Sequence, residues 1–273
     1  MEIKQKNISG YDLTHPNFRR WERGRRAAFK RGKVVKDLIT TIKLCNQLNI
    51  LDLGSGEGGT SAVLSQENNV ISYDINLIRL KRQRFSDGKY SILNGDAESL
   101  PFRDSSFDLI IMQDVIEHID NRRPLVNELS RVLKKEGIIY VSTPNRYSVV
   151  NIISDPHWGI PLLALFKRPA IKKYFLRFLR KKDLHRSDTA ELLSLNELAK
   201  LFSGFNVHLK TKEAVQILSK SPDGLLWSSF HLLIYNMLKK AGLLFLLNRA
   251  ANNRSGIINK YFSPTFYLIL IRI

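Results

Sequence analysis

Short apolar runs recur along the first half of the chain, at Leu48–Leu53, Val70–Tyr73, Tyr90–Leu93, Phe107–Met112 and Gly137–Ser142. Runs of this length predict buried strands. Between them the apolar positions fall at helical spacing. Gly24–Leu44 carries Ala27, Ala28, Val34, Val35, Leu38 and Ile42 on that period, and Gly59–Gln66, Asn76–Phe85 and Pro124–Leu133 read as further helices, the last with Pro124 in its first turn. Strands alternating with helices at this spacing predict parallel βαβ units and a doubly wound α/β sheet that binds ligands at the carboxyl ends of its strands. Further along, Leu195–Phe202 should be helix, Phe205–Leu209 a sixth strand, and Tyr261–Ile273 the stretch that closes the sheet.

The first strand runs into ILDLGSGEGGT, Ile50–Thr60, with glycine at positions 54, 56, 58 and 59. Glycines accept positive φ and let the backbone approach a ligand closely, so this turn suits a nucleotide-type cofactor. The string alone does not name the cofactor, because Gly54, Gly56 and Gly59 also satisfy the GxGxxG spacing of NAD-binding proteins. Asp74 ends the second strand about twenty residues after Gly54, where a dinucleotide-type fold places the carboxylate for ribose hydroxyls. Asp52 precedes the loop, Asp96 lies after the third strand in NGDAESLPF, and FDLIIMQDVIEH follows.

With these four features together the sequence resembles the class I S-adenosylmethionine-dependent methyltransferases, especially the group called type 11. The resemblance runs continuously over Lys33–Thr143, with weaker echoes in LSLNELAKLFSGFNV and in the closing FYLILIRI. It implies a mostly parallel seven-stranded, Rossmann-like sheet with an antiparallel last strand and helical insertions after strands five and six. It also implies S-adenosylmethionine as cofactor. The DxGxGxG match, Asp52, Gly54, Gly56 and Gly58 with Ser55 between them, would hold its methionine part. Asp74, with Ile75 beside it, would hold the ribose, Asp96 and Ala97 would meet the adenine, and the backbone at Gln113 would contact the amine.

Absent residues narrow the acceptor. Cys45, the single cysteine, precedes the first strand, away from the expected pocket of an enzyme that methylates pyrimidine carbon through a thiol. The Asn/Asp-Pro-Pro-aromatic signature of nucleic-acid amine methyltransferases is replaced by Gln113, Asp114, Val115 and Ile116. A hydroxyl, carboxyl or small amine survives as acceptor. DxxEH, formed by Asp114, Glu117 and His118, loosely resembles the ExxEH of some metal-assisted methyltransferases. The expectation is no metal, with Glu117 and His118 supporting the strand end, and those three side chains stand as the alternative ligand set. His157, in the insertion SDPHWGIPLL, is the first candidate for a general base and His185 the second, against a reading in which the His-Trp pair only packs.

At 273 residues and 44% hydrophobic content, the chain can bury one sizeable core. One domain over 1–273 is expected, with a basic helical segment at 1–47, a cofactor core at 48–143 and acceptor-binding insertions at 144–190 and 213–260. Its net charge is +18, yet Leu48–Thr143 carries 11 basic against 14 acidic residues. The excess lies in Arg19–Lys36 and Lys167–Arg186, each with nine basic residues to one acidic. Like charges so dense repel unless an anionic partner offsets them. AIKKYFLRFLRKK places Ile171, Tyr174, Phe175, Phe178 and Leu179 on one helical stripe beside a basic face, which fits either packing on its own domain or lying on anionic lipid. Gly224–Leu247 is too interrupted by Lys239 and Lys240 for a confident span; Leu226, Phe230, Leu233, Ile234 and Met237 are expected as a buried or interfacial face. The amino-terminal MEIKQKNISGYDLTHPN has no apolar core of a signal sequence, so a cytoplasmic protein is expected, peripheral on the inner face of the membrane. The expected function is O-methylation of a small, lipid-linked or glycan-linked acceptor, with an RNA methyltransferase or a non-enzymatic cofactor-binding regulator as the other readings.

Overall fold

A computed structural model describes residues 18–83, 89–181, 189–220, 222–226 and 228–273, with the backbone alone at 19–21. Its centre is a seven-stranded sheet: β1 Asn49–Leu53, β2 Asn69–Asp74, β3 Ser91–Asn94, β4 Phe107–Gln113, β5 Leu133–Pro144, β6 Phe205–Leu209 and β7 Thr265–Arg272. The spatial order is β3-β2-β1-β4-β5-β7-β6. The first five strands pair in parallel, and β7 pairs antiparallel with both β5 and β6. The chain winds outward from β1 in both directions, so the crevice lies between the carboxyl ends of β1 and β4.

Alternation within the strands divides the core into two layers. Leu51, Ile110, Met112, Ile139, Val141, Leu268 and Leu270 face one side with Leu125, Leu129, Leu198 and Phe202. Ile50, Leu109, Ile111, Tyr140 and Ile269 face the other, against Val34, Val35, Leu38 and Ile39 of the first helix. Strands buried on both faces show no apolar–polar alternation, which is why they read as continuous runs.

Helix α1, Phe18–Thr40, begins earlier than Gly24, and Glu22 takes Arg25 and Arg26 at 2.6 and 2.8 Å, three and four residues on. Helices α2, Gly59–Leu64, α3, Leu77–Gln83, and α4, Arg122–Val132, fall where periodicity placed them. The helix Leu195–Leu201 starts in a capping box: Ser194 Oγ accepts from Glu197 N, and Glu197 Oε2 accepts from Ser194 N at 2.8 Å.

The apolar faces of the two insertions, left open as packed or interfacial, are only partly buried. The stripe Ile171, Tyr174, Phe175, Phe178, Leu179 does not form one buried face, because Ile171–Leu176 winds as a π-helix. Residues five apart then superpose, so Ile171 and Leu176 form the buried pair with Trp158 and Leu163, leaving Tyr174, Phe178 and Leu179 at 57, 70 and 61% exposure. In the second insertion the chain forms Ser229–Lys240 and Leu244–Ala250, bent by 107°. Its inward line is His231 and Tyr235; Leu233 and Met237 of the expected face are exposed. Among the described residues no single helix is long and apolar enough to cross a membrane, although this bent pair reaches the required length and composition together.

Candidate active site

The turn after β1 is set by backbone sterics. Gly54 has φ 71°, and a Cβ there would meet Val115 Cγ2 at 2.3 Å. Gly56 has φ 55°, but a Cβ there would touch only Gly54 O at 4.0 Å, so its missing side chain opens space in the crevice. Asp74 at the end of β2 holds this turn: its Oδ2 accepts from Gly56 N at 2.8 Å and its Oδ1 from Asn76 N at 2.7 Å. Gln83 braces it from α3, donating to Gly56 O at 2.5 Å and accepting from Ser72 Oγ at 2.6 Å.

The turn, Asp74 and Asn76 line a cavity of about 560 Å³, within the range of small-molecule sites. Asp52, Gly54, Ser55, Gly56, Asp74, Ile75, Asp96, Ala97 and Gln113 all reach it. Gly58 does not; it lies behind the turn, packed under Tyr90 and Gln83. Asp52 is fully buried and accepts from Ser61 Oγ at 2.6 Å. Burial pushes its carboxyl up to about 6, with the Ser61 hydroxyl pulling down and the neighbouring Asp74 charge adding to the rise. Gln113 Oε1 takes the Thr60 hydroxyl at 3.1 Å, and Tyr73 donates to Asp96 O at 3.1 Å.

The same cavity continues to a second cluster. His118, from a 3₁₀ turn at Ile116–His118, and His157, from the insertion, meet edge to face with centroids 5.2 Å apart, and both line the cavity. Behind them Glu117 has no exposure; its Oε2 accepts from Thr143 Oγ1 at 3.0 Å, while its Oε1 lacks a hydrogen bond and faces His157 Nε2 at 3.8 Å. Burial first, and the Asp114 charge second, push the Glu117 carboxyl well above the usual carboxylate range. Asp114 does not join this cluster: at φ 56° it turns to an ion pair with Arg31 of α1. The structure thus exchanges Asp114 for His157 in the three-ligand set. His185 lies outside the described residues.

Sequence reasoning missed the roof of the cavity. Gly24, Ala28 and Arg31 of α1 line it, at positions i, i+4 and i+7 of one helix face. That pairing of small residues with an arginine was the available signal, masked by the basic run around it.

A doubly wound sheet with its cradle at the β1–β4 switch point, an acid ending β2 and an antiparallel β7 defines the class of protein: a Rossmann-like methyltransferase fold. Residues 51–141 match the family model described as methyltransferase domain. A probable S-adenosylmethionine-dependent methyltransferase of Mycobacterium tuberculosis is 30% identical over 119 residues, 43% of this chain and 43% of the relative. The chain therefore spans less than half the length of that curated relative. Among solved structures, an S-adenosylmethionine-dependent methyltransferase of Mesorhizobium loti aligns over 86% of this chain and 95% of its own, with TM-score 0.54 and 16% identity. A methyltransferase of Thermotoga maritima described as a possible histamine N-methyltransferase aligns over 93% and 94%, with TM-score 0.52 and 18% identity. At such identities these two report the fold. Taken with the matched stretch, the chain carries a class I S-adenosylmethionine-dependent methyltransferase domain.

Proposed function

We propose that the protein transfers a methyl group from S-adenosylmethionine to an oxygen of a small, lipid-linked or glycan-linked acceptor presented at an anionic membrane surface. The observation that carries this reading is one cavity lined both by the glycine turn and Asp74 and by His118 and His157. The residues at its first end fit the cofactor: the turn leaves open space at Gly56, and two buried acids, Asp52 and Asp74, stand where a ligand bearing cationic ammonium and sulfonium groups would lie.

When bound, adenosylmethionine supplies an electrophilic methyl on a sulfonium. The chain's own residues then have to bind, orient and exclude water. By resemblance, Asp52 and the Gly54–Gly58 turn would hold the methionine part, Asp74 the ribose hydroxyls, Asp96 and Ala97 the adenine, and the Gln113 backbone the amine. Gln83 and Asp74 hold the turn through hydrogen bonds made by the protein itself, and a turn held in this way lowers the ordering cost of binding. Arg31 and Asp114 tie α1 to the cavity wall. The acceptor oxygen belongs at the other end, where His157 is the side chain expected to meet its proton.

The surface next to this end supports a membrane-borne acceptor. Arg180 donates to Trp158 O at 3.2 Å, so the Lys167–Lys181 segment abuts the cavity wall. There the exposed Tyr174, Phe178 and Leu179 alternate with Lys172, Lys173, Arg177 and Lys181. Apolar side chains ringed by cations suit an interfacial segment on anionic lipid. Co-sedimentation with phosphatidylglycerol-containing vesicles tests this part. The wild type should pellet at low salt, and Phe178→Glu with Leu179→Glu should cut the bound fraction severalfold. Absence of vesicle binding, with RNA binding that falls steeply with salt, would instead favour the RNA reading.

A further inference from the structure

We propose that Glu117, His118 and His157 form a binding site for one divalent transition-metal cation at the acceptor end of the cavity. The inference deepens the functional reading above and rests on it for the cation's role, but the site itself stands on geometry.

One ligand atom from each of the three side chains lies within 4.8 Å of the other two. Around a first-row cation with bonds of roughly 2.0–2.2 Å, ligand atoms sit about 3–4 Å apart, so small side-chain movements close the set. The second observation is Glu117 itself. It has no exposure, and its Oε1 has no hydrogen-bond partner, although buried polar atoms are nearly always paired. That oxygen faces His157 Nε2 at 3.8 Å. A cation between them would satisfy it.

The surroundings match what a metal site needs. Thr143 Oγ1 holds the other oxygen, Oε2, at 3.0 Å and so fixes the carboxylate plane, as outer partners of metal ligands commonly do. Glu117 lies behind the cavity wall while both histidines line it, so a cation would have a protein-filled side and an open side facing the cavity. Two imidazoles and one carboxylate with open positions favour zinc, iron, cobalt, nickel or manganese over calcium or magnesium. The open side faces the space assigned to the acceptor. An acceptor oxygen could ligate the cation there, and His157 would then serve as a ligand in place of the proton-accepting role expected from the sequence.

The test is titration of the purified full chain, stripped with chelator, with cobalt(II) alone. It is followed by the visible absorption of the bound ion and by its displacement with zinc(II). One equivalent should bind, and His118→Ala and His157→Ala should each weaken binding by about a hundredfold, at or above the upper end of what losing an outer partner costs. Glu117→Gln should do the same. Adenosylhomocysteine binding by each variant checks folding and separates this inference from the cofactor reading. A variant that keeps the nucleoside but loses cobalt supports the site. Failure of the wild type to bind cobalt or zinc while it binds adenosylhomocysteine would overturn the metal site and leave the cofactor reading intact. Cobalt binding unchanged in His157→Ala would overturn it as well.

Discussion

Two pairs of acids lose solvent in this molecule under opposite conditions, all buried except the half-buried Glu197. Asp52, in the cavity wall, and Glu117, behind it, have no cation in hydrogen-bonding contact among the described residues, and burial raises both carboxyls. In the first insertion and the helix after it, burial also pushes Glu191 and Glu197 upward, but the partners win. The Arg168 backbone N–H and Lys167 bring Glu191 down, and the Ser194 N–H, Lys167 and Arg146 bring Glu197 down to about 2. The same residue type is thus used as fastening in one place and held under-neutralised in the other. Under-neutralised acids beside a cavity mark where a cationic ligand belongs.

The largest test of this contrast lies on the fastened side. Arg146, almost fully buried, donates to both oxygens of Glu197 at 2.7 and 2.8 Å and faces Glu191 at 3.5 Å. Arg146→Ala leaves those acids under-compensated and should lower unfolding free energy by about 3 kcal/mol, measured by urea titration. The residue fastens the start of the insertion to the helix Leu195–Leu201, so cofactor affinity should change far less than stability.

A smaller effect distinguishes the two sides by pH. Asp52 binds its proton more tightly folded than unfolded, so its contribution to stability is full below 3.8 and is lost as pH rises through about 6. Glu197 does the reverse: its contribution is present above 4.5 and is lost as pH falls toward 2. Asp52→Asn should therefore flatten the decline in stability between pH 4 and 7, a change on the order of 2 kcal/mol, read from urea midpoints across that range. An unchanged slope would mean that Asp52 is not the acid responsible.

The cofactor half was legible because its signals are local. The inner parallel strands β1, β2, β4 and β5 are largely buried and read as short apolar runs, and the turn demands glycine at fixed offsets from Asp52 and Asp74. The rest depends on contacts that no spacing encodes. Arg31 meets Asp114 across 83 positions, and His157 reaches Glu117 from a separate insertion. Which of the Ile171–Leu179 residues pack inward was hidden for a different reason: they have helical spacing, but the backbone adopts π winding, with Leu176 inward and Phe178 outside.

The central claim is that the Gly54–Gly58 turn, held by Asp74, is an adenosylmethionine cradle. Calorimetric titration of the wild type and of Asp74→Ala with adenosylmethionine tests it most directly. The wild type should bind one equivalent per chain, and Asp74→Ala, which removes two charge-assisted bonds from the turn, should lose at least about tenfold in affinity. Absence of saturable binding by the wild type, or equal affinity in the variant, would contradict the account.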